Sequence, residues 1–593
     1  LNEEGVMRNS SQERYNVNID PDQMDQFEIG PDSGYVQMTG TEDKFLEWYE
    51  LSANAADPDV YQQICQMVDI DEYINYMAVE LYLNNTDWPQ NNVKGFRDRE
   101  DGKFHFVIFD LDFAFANDGE GSSPSPFITF ANKKNHTFSE LYGKYDYYYN
   151  PETDEYDYVQ VTPWATGDRI KEEIKFVTIF LQMLQNEQFR RQFVDTYCIV
   201  GGSVFDPTRV KEIVNEMRDY MNLGMGLTGG NCNNSAANIT SKLSSTRQLA
   251  MFNTLKAYTP MGMKSAKAVT LNLSSYIRNA EGKQVAFDDA RIIINNVEVP
   301  TGKMKGKMFH PLTVKALAPA GYKFEGWTDL TGKNVKAPYS QFEVPANLTT
   351  VSYRATWVKM TDEELAEAGL TPSPVVVNEV SASNGIYVSD YFKRDDWVEL
   401  YNTTDEDIDL AGCYLSDNAA KPQKYQIPTD DPALNTVIPA HGYLQVWCDK
   451  LLNIGSAIHA SFKLAKEGGI VMLSKYDESG QLLYSDQLEY TEHGPLQTYG
   501  RYPDAALTGT VMERPTPLAR NVNTPSVLSA YAGLLGDLDN DGRITVEDIS
   551  LLIATYLDPP QASIYLPRYD IDGDGQLTVS DITTLVNIYL GEE

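Results

Sequence analysis

Two neighbouring stretches decide how the first part of this chain is read: NNTDWPQNNVK (84–94) and FHFVIFDLDFAF (104–115). The first sets Asp87 in a Trp-Pro turn and follows it with Asn91 and Asn92. The second runs an apolar strand into Asp110-Leu-Asp112. Ahead of both, Ile74, Met77, Ala78 and Leu81 recur at helical spacing and predict one buried helix face over 72–83. Phosphoryl transfer needs positioning and charge neutralisation more than covalent participation. An Asp near the acceptor hydroxyl, an Asn five residues later on a metal and a second metal-binding Asp at a strand end supply both. Asp87, Asn92 and Asp110 have that order, with Asp112 as neighbour or further ligand. Asn91 is an alternative to Asn92, and Lys94 is a candidate phosphate contact. The same residues also fit a plain turn and strand end, since Asx side chains bond their own backbone.

The chain of 593 residues predicts several domains rather than one. A formal net charge of −37 argues against nucleic acid or an anionic membrane as partner and is compatible with cation binding. The five cysteines (Cys65, Cys198, Cys232, Cys413, Cys448) form no CxxC pair, so a zinc ribbon or redox motif is not expected. Buried free thiols are the expected state, with a Cys413–Cys448 disulfide as the alternative. No apolar run approaches the roughly 20 residues of a membrane span. The first residue is Leu1 and no basic-then-apolar leader follows, which predicts a piece of a longer reading frame.

Periodicity divides the chain. Residues 1–45 are polar and weakly periodic, and helical patterns dominate from there to 262, interrupted by a Gly, Ser, Pro and Tyr-rich connection over 116–167. The period changes to two over 263–360, where AVTLNLSSY, ARIIINNVEV, GYKFEGWTD and TTVSYRATW read as strands. An acidic helical linker, 361–373, leads to a second all-β region over 374–528 whose short strands predict a sandwich. The chain closes, over 529–593, on a repeat: GDLDNDGRITVEDISLLIATYL is echoed by YDIDGDGQLTVSDITTLVNIYL.

That repeat carries the most specific chemistry. Asp537, Asp539, Asp541, Arg543 (through its carbonyl), Thr545 and Asp548 occupy the ligand positions of a twelve-residue calcium loop, with Gly542 at the sharp turn. Asp570, Asp572, Asp574, Gln576, Thr578 and Asp581 repeat the arrangement around Gly575. Oxygen donors alone suit a hard cation, so two Ca²⁺ are expected. Each loop leads into one helix, where Ile549, Leu552, Ile553 and Tyr556 match Ile582, Leu585, Val586 and Tyr589. Two loop–helix units without the incoming EF-hand helix resemble a type I dockerin over 536–590. That resemblance implies calcium-dependent folding and a cohesin domain as partner. Where the family often carries Ser-Thr for cohesin contact, this chain has Val546-Glu547 and Val579-Ser580.

The stretch 70–115, through NEQFRRQFVDTY, resembles the CotH (spore coat protein H) family of atypical extracellular kinases over about 60–260. The resemblance implies an α-rich, kinase-like C-terminal lobe within 1–262 that uses ATP with Mg²⁺ or Mn²⁺ and phosphorylates a protein acceptor. The family's upstream lobe grips the nucleotide with a basic residue and a small-residue loop; in 1–60 only MRNSSQERYN is a candidate counterpart. GYKFEGW and its flanking strands resemble the β-repeat modules of bacterial surface proteins, with Tyr322 and Trp327 expected in the core. Asn378-Glu379, Trp397-Val-Glu399-Leu-Tyr401-Asn402, Leu415-Ser-Asp417 and TPLARN (516–521) resemble the lamin-tail domain, an immunoglobulin-like sandwich. Its acidic residues Glu379, Asp395, Asp396 and Glu399 read as a solvated face, with cation binding as the alternative.

The expectation is therefore a multidomain protein: kinase-like lobe, small all-β module, sandwich and an α-helical, EF-hand-like dockerin. It is expected outside the cell or at its surface, within a polysaccharide-degrading complex. Two other readings stand beside the kinase: a non-catalytic scaffold or adhesion component, and a dockerin-bearing glycoside hydrolase.

Overall fold

A computed structural model describes residues 24–30, 34–99, 102–115, 125–139, 145–150, 155–160, 169–226 and 230–522, the last excepting 280–281, 288, 319–320, 338, 362–363, 365–372, 478 and 507. At the C-terminus it describes Leu538 and the helices Val546–Leu557 and Val579–Leu590. The expected linker, but for Thr361, Glu364 and Ser373, lies outside the described residues. The chain divides into two compact units, with the change falling between Ala266 and Lys267.

The first unit is built around the helix Ile70–Leu83. Asp69 caps its start, accepting from the Glu72 N–H at 3.0 Å, and Asn84 ends it in the left-handed conformation that Asn tolerates. The predicted one-sided helix is in fact buried almost all round in its second half, Glu80 included. It packs against the helix Glu187–Ile199, and Tyr73 meets the rings of Phe176, Phe180 and Phe189. Two differences from the sequence reading concern strands. Residues 24–39, read as polar and weakly periodic, form the hairpin Met24–Gly30 and Gly34–Thr39. The apolar strand expected to run up to Asp110 is only His105–Val107. These four elements make a sheet ordered Gly34–Thr39, Met24–Gly30, Val93–Asp98, His105–Val107. The hairpin is tied in by burial of Met24, Phe27 and Ile29 and by the Arg97–Asp25 ion pair at 2.7 Å.

In the second unit, the described residues over 268–359 form β-strands and their connections. One sheet runs Gln284–Ala286, Ala268–Arg278, Thr350–Lys359, Tyr322–Asp329, Val335–Ala337, and Met304–Phe309 also pairs with Ala268–Arg278. Trp327 is fully buried and donates Nε1–H to the Ser340 carbonyl at 2.9 Å. Tyr322 is partly exposed and packs on Phe287.

The following region is a two-sheet β-sandwich. One sheet is ordered Ile458–Ala460, Tyr443–Cys448, Trp397–Asn402, Val375–Ser381, Thr498–Arg501, Gly509–Met512. The other is Tyr425–Gln426, Tyr414–Ser416, Gly468–Tyr476, Leu482–Thr491. Val377, Leu400, Leu415, Val446, Val471 and Leu473 fill the space between. Cys413 and Cys448 are free thiols within that core.

The acidic residues of the sandwich correct the reading of a solvated face. Glu379 and Glu399 are both 0% exposed and stand opposite each other on paired strands. Glu379 accepts from Thr498 Oγ1 (2.5 Å), the Thr516 N–H (3.0 Å) and Thr516 Oγ1 (2.9 Å). Glu399 accepts from Asn378 Nδ2 (3.2 Å) and the Leu518 N–H (2.6 Å). The segment 513–521 folds over these strands and seals the carboxylates in, which strand-level pattern cannot reveal. Asp395 is also buried, and the half-buried Asp396 accepts from the Leu464 N–H at 3.1 Å.

At the C-terminus Leu552 and Leu585, at matching places in the two helices, pack with Leu538.

Candidate functional site

The site grows from the C-terminal end of the Ile70–Leu83 helix. Asn84 reverses the chain with φ +53°, and the turn that follows carries Asp87. Trp88 pins this turn to the core: it is 2% exposed, donates Nε1–H to Tyr76 Oη at 2.8 Å and stacks on Phe130. Lys133 donates to the carbonyls of Thr86 and, at 2.8 Å, Trp88.

The structure brings Asp87, Asn91 and Asn92 together. Asp87 Oδ2 accepts from Asn91 Nδ2 at 2.9 Å and from Asn92 Nδ2 at 3.2 Å, while Oδ1 accepts from Gln90 Nε2 at 3.3 Å. Three side-chain amides thus hold one carboxylate in a fixed orientation. Asn92 is buried with φ +61°, and with its amide nitrogen spent on Asp87 its Oδ1 is the atom left to serve a cation.

The second half of the site is the segment after His105–Val107. Asp110 and Asp112 are exposed, and Asp110 holds φ +51°, a conformation Asp visits more readily than most residues. Cross-bonds fasten this segment to the Asp87 turn: Phe115 N–H to the Leu83 carbonyl (2.7 Å), Thr86 N–H to the Phe113 carbonyl (3.3 Å) and Asn85 Nδ2 to the Asp110 carbonyl (3.4 Å). Partial desolvation, a hydrogen bond to Asp112 and the charges of Asp112 and Asp87 push the Asp110 carboxyl above its ordinary range; Lys94 works in the opposite sense. Lys94 is buried, its Nζ 4.5 Å from the centre of the Phe109 ring. Carboxylates that raise one another's proton affinity also attract a cation. All the donors here are oxygens, the set that suits a hard ion such as Mg²⁺ or Mn²⁺.

Sequence reasoning missed the supports. Asn85 accepts from the Asp87 N–H at 3.3 Å and donates to Glu80 Oε2 at 3.1 Å. Arg247 donates to the carbonyls of Tyr82 (2.6 Å) and Leu83 (2.9 Å) and lies 4.9 Å from the centre of the Phe115 ring. The one signal available was Glu80 itself, a lone charge within YMAVELYL.

A separate cluster joins Asp69, Glu72 and His105, whose ligand atoms lie within 4.8 Å of one another. His105 Nδ1 is 2.7 Å from Glu72 Oε2, and Glu72 Oε1 accepts from the Phe106 N–H at 3.0 Å. These bonds tie the helix start to the neighbouring strand and account for the cluster.

Of the calcium-loop residues, Asp537, Asp539, Asp541, Arg543, Thr545, Asp570, Asp572, Asp574, Gln576 and Thr578 lie outside the described residues. Asp548 and Asp581 fall in the two C-terminal helices. Asp548 is fully buried and accepts from the Leu538 N–H at 2.7 Å. Among the described residues no helix is long and apolar enough to cross a membrane.

Comparison with known proteins agrees with this division. Residues 9–244 match the family model described as CotH kinase protein, 371–492 the Lamin Tail Domain and 535–590 the Dockerin type I domain. No curated protein matches the chain. A solved structure, a DUF4876 family protein from Bacteroides thetaiotaomicron, is similar at 11% identity over 36% of this chain and 67% of its own, with a TM-score of 0.15, too low to carry an argument. The turn carrying Asp87 and Asn92, the sandwich strands up to Thr491 and the two C-terminal helices therefore fall in three families, and the chain joins a CotH kinase domain, a lamin tail domain and a type I dockerin.

Proposed function

We propose that the CotH domain transfers the γ-phosphoryl group of ATP to a hydroxyl of a protein acceptor. The observation that carries this reading is the Asp87 carboxylate, held by Asn91 and Asn92 on a turn cross-bonded to the Asp110–Asp112 segment. Asp87 orients the acceptor hydroxyl and takes its proton. The hydroxyl oxygen forms a bond to the γ-phosphorus as the bond to the β–γ bridging oxygen breaks, and ADP leaves with the electron pair. Asn92 and Asp110 would hold Mg²⁺ or Mn²⁺, with Asp112 as further ligand; when bound, the ion neutralises charge on the phosphates. Lys94 adds a fixed positive charge beside Asp110.

Calorimetric titration of Mn²⁺–ATP into the protein and into Asp110→Ala tests this. Binding in the first and a loss of about 100-fold in the second is expected. Equal affinity in both would remove Asp110 from the metal site. Absence of binding in both would leave the domain as a non-catalytic part of its assembly.

The dockerin supplies the location. In this reading, two Ca²⁺ held by Asp537, Asp539, Asp541, Arg543, Thr545 and Asp548, and by Asp570, Asp572, Asp574, Gln576, Thr578 and Asp581, fold the module. The module then docks on a cohesin of an extracellular, polysaccharide-degrading complex. The closure of Asp548 on Leu538 and the shared Leu538–Leu552–Leu585 core support it. Asp541→Ala with Asp574→Ala should abolish the calcium-dependent gain of helix seen by circular dichroism. A spectrum that ignores both calcium and these substitutions would overturn it.

A further inference from the structure

The Ile70–Leu83 helix buries a carboxylate that the phosphoryl-transfer reading leaves without a role. Glu80 is 1% exposed within the run Ala78-Val79-Glu80-Leu81-Tyr82-Leu83. Among the described residues its Oε1 has no hydrogen-bond partner, and its Oε2 accepts a single bond, from Asn85 Nδ2 at 3.1 Å. Burial pushes its pKa up to about 7. A carboxylate placed there costs folding free energy that a Leu or Met would not. Packing therefore does not explain it.

Its one partner explains it better. Asn85 is the side chain that touches both halves of the site: Oδ1 accepts from the Asp87 N–H at 3.3 Å, and Nδ2 donates to the Asp110 carbonyl at 3.4 Å. An amide can sit either way round, and only one way makes both bonds. Glu80 Oε2 offers an acceptor at 3.1 Å, which favours the orientation in which Nδ2 faces Glu80 and Asp110. Arg247 braces the same helix end through the Tyr82 and Leu83 carbonyls.

We propose that Glu80 is a positioning residue: by fixing the Asn85 amide it ties the Asp87 turn and the Asp110 segment at one separation. Its consequence for catalysis rests on the phosphoryl-transfer reading; the anchoring itself does not.

The test compares the full chain with Glu80→Leu, Glu80→Gln and Asn85→Ala. Amide hydrogen exchange is followed over 84–92 and 108–115, with 187–199 as internal control, and Mn²⁺–ATP affinity is measured alongside. Glu80→Leu and Asn85→Ala should speed exchange in the two site segments about ten-fold and leave 187–199 unchanged. Both should weaken Mn²⁺–ATP by about ten- to a hundred-fold. Glu80→Gln, which still offers an acceptor oxygen, should stay within about two-fold of the parent in exchange. Unchanged exchange in the site segments, or equal acceleration in 187–199, overturns the proposal. If Glu80→Leu fails to fold, Asn85→Ala against Glu80→Gln decides by the same criterion. A parent protein that shows the expected exchange pattern but binds no Mn²⁺–ATP supports the anchoring and sinks the phosphoryl-transfer reading instead.

Discussion

Asp110 and Asp112 stand exposed on a loop, near enough to each other and to Asp87 to raise the Asp110 pKa. Glu379 and Glu399 stand side by side across paired strands at 0% exposure, and burial first, then their mutual charge, raises Glu399 well above the ordinary carboxylate range. Both regions crowd like charges, and they resolve the conflict differently. In the sandwich every oxygen of the pair accepts a hydrogen bond from Asn378, Thr498, Thr516 or Leu518. Those bonds fasten the 513–521 segment over the sheet. In the CotH domain the exposed pair is left open to solvent, where a cation can reach it. A sealed cluster is a structural clasp; an open one keeps its oxygens accessible.

Three measurements would sharpen or break this contrast. The largest effect belongs to the clasp. Glu399→Ala leaves one Asn378 amide hydrogen and the Leu518 N–H without their Glu399 acceptor, a loss of about 3 kcal/mol. The sandwich transition in calorimetry should fall by roughly 10 °C. A shift below about 2 °C would show that the cluster fastens nothing.

Next comes pH. Burial raises Glu379 to about 7, and Asp396 to about 6. Their folded-state pKa values lie above the unfolded ones, so the folded sandwich binds these protons more tightly. Its stability is highest below the unfolded value and declines as pH rises towards 7. Buried His493, whose pKa is lowered, opposes this below its ordinary value. Asp409 and Asp477, lowered by hydrogen bonds, lose their contribution only in acid beneath that window. The transition moved by Glu399→Ala should therefore melt higher at pH 5 than at pH 8. The opposite order would mean that the buried pair gains more from its donors than burial costs it.

The smallest effect has the opposite sign. Asp112→Asn removes repulsion from an exposed pair and should stabilise the metal-free CotH domain by under about 0.5 kcal/mol. It should also reduce the rise in melting temperature that Mn²⁺ gives the parent. Destabilisation without metal would mean that Asp112 supports the loop rather than a cation.

Legibility followed the range of the contacts. The calcium loops place their ligands within twelve residues and repeat them, so spacing alone exposed them. Asp87 and Asn92 share one turn and were legible for the same reason. Asp110 was found by its strand-end motif, although the strand proved to be three residues long. The lamin-tail residues were recognised, but Glu379 and Glu399 were placed on the wrong side of the sheet's boundary with water. Strand alternation names two faces and cannot say that a segment more than a hundred residues later will cover one of them. Residues 24–39 were passed over because a polar hairpin becomes a sheet only when Val93–Asp98 lies beside it.

By itself the sequence determined the three families and their order along the chain, CotH kinase, lamin tail and type I dockerin. Local spacing and residue chemistry were enough for those. Only the tertiary structure decided which carboxylates are sealed and which are open, and that Glu80 lies buried against Asn85 beside the Asp87 turn. Burial and hydrogen-bond partners are properties of chain segments brought together from far apart, and no local pattern encodes them.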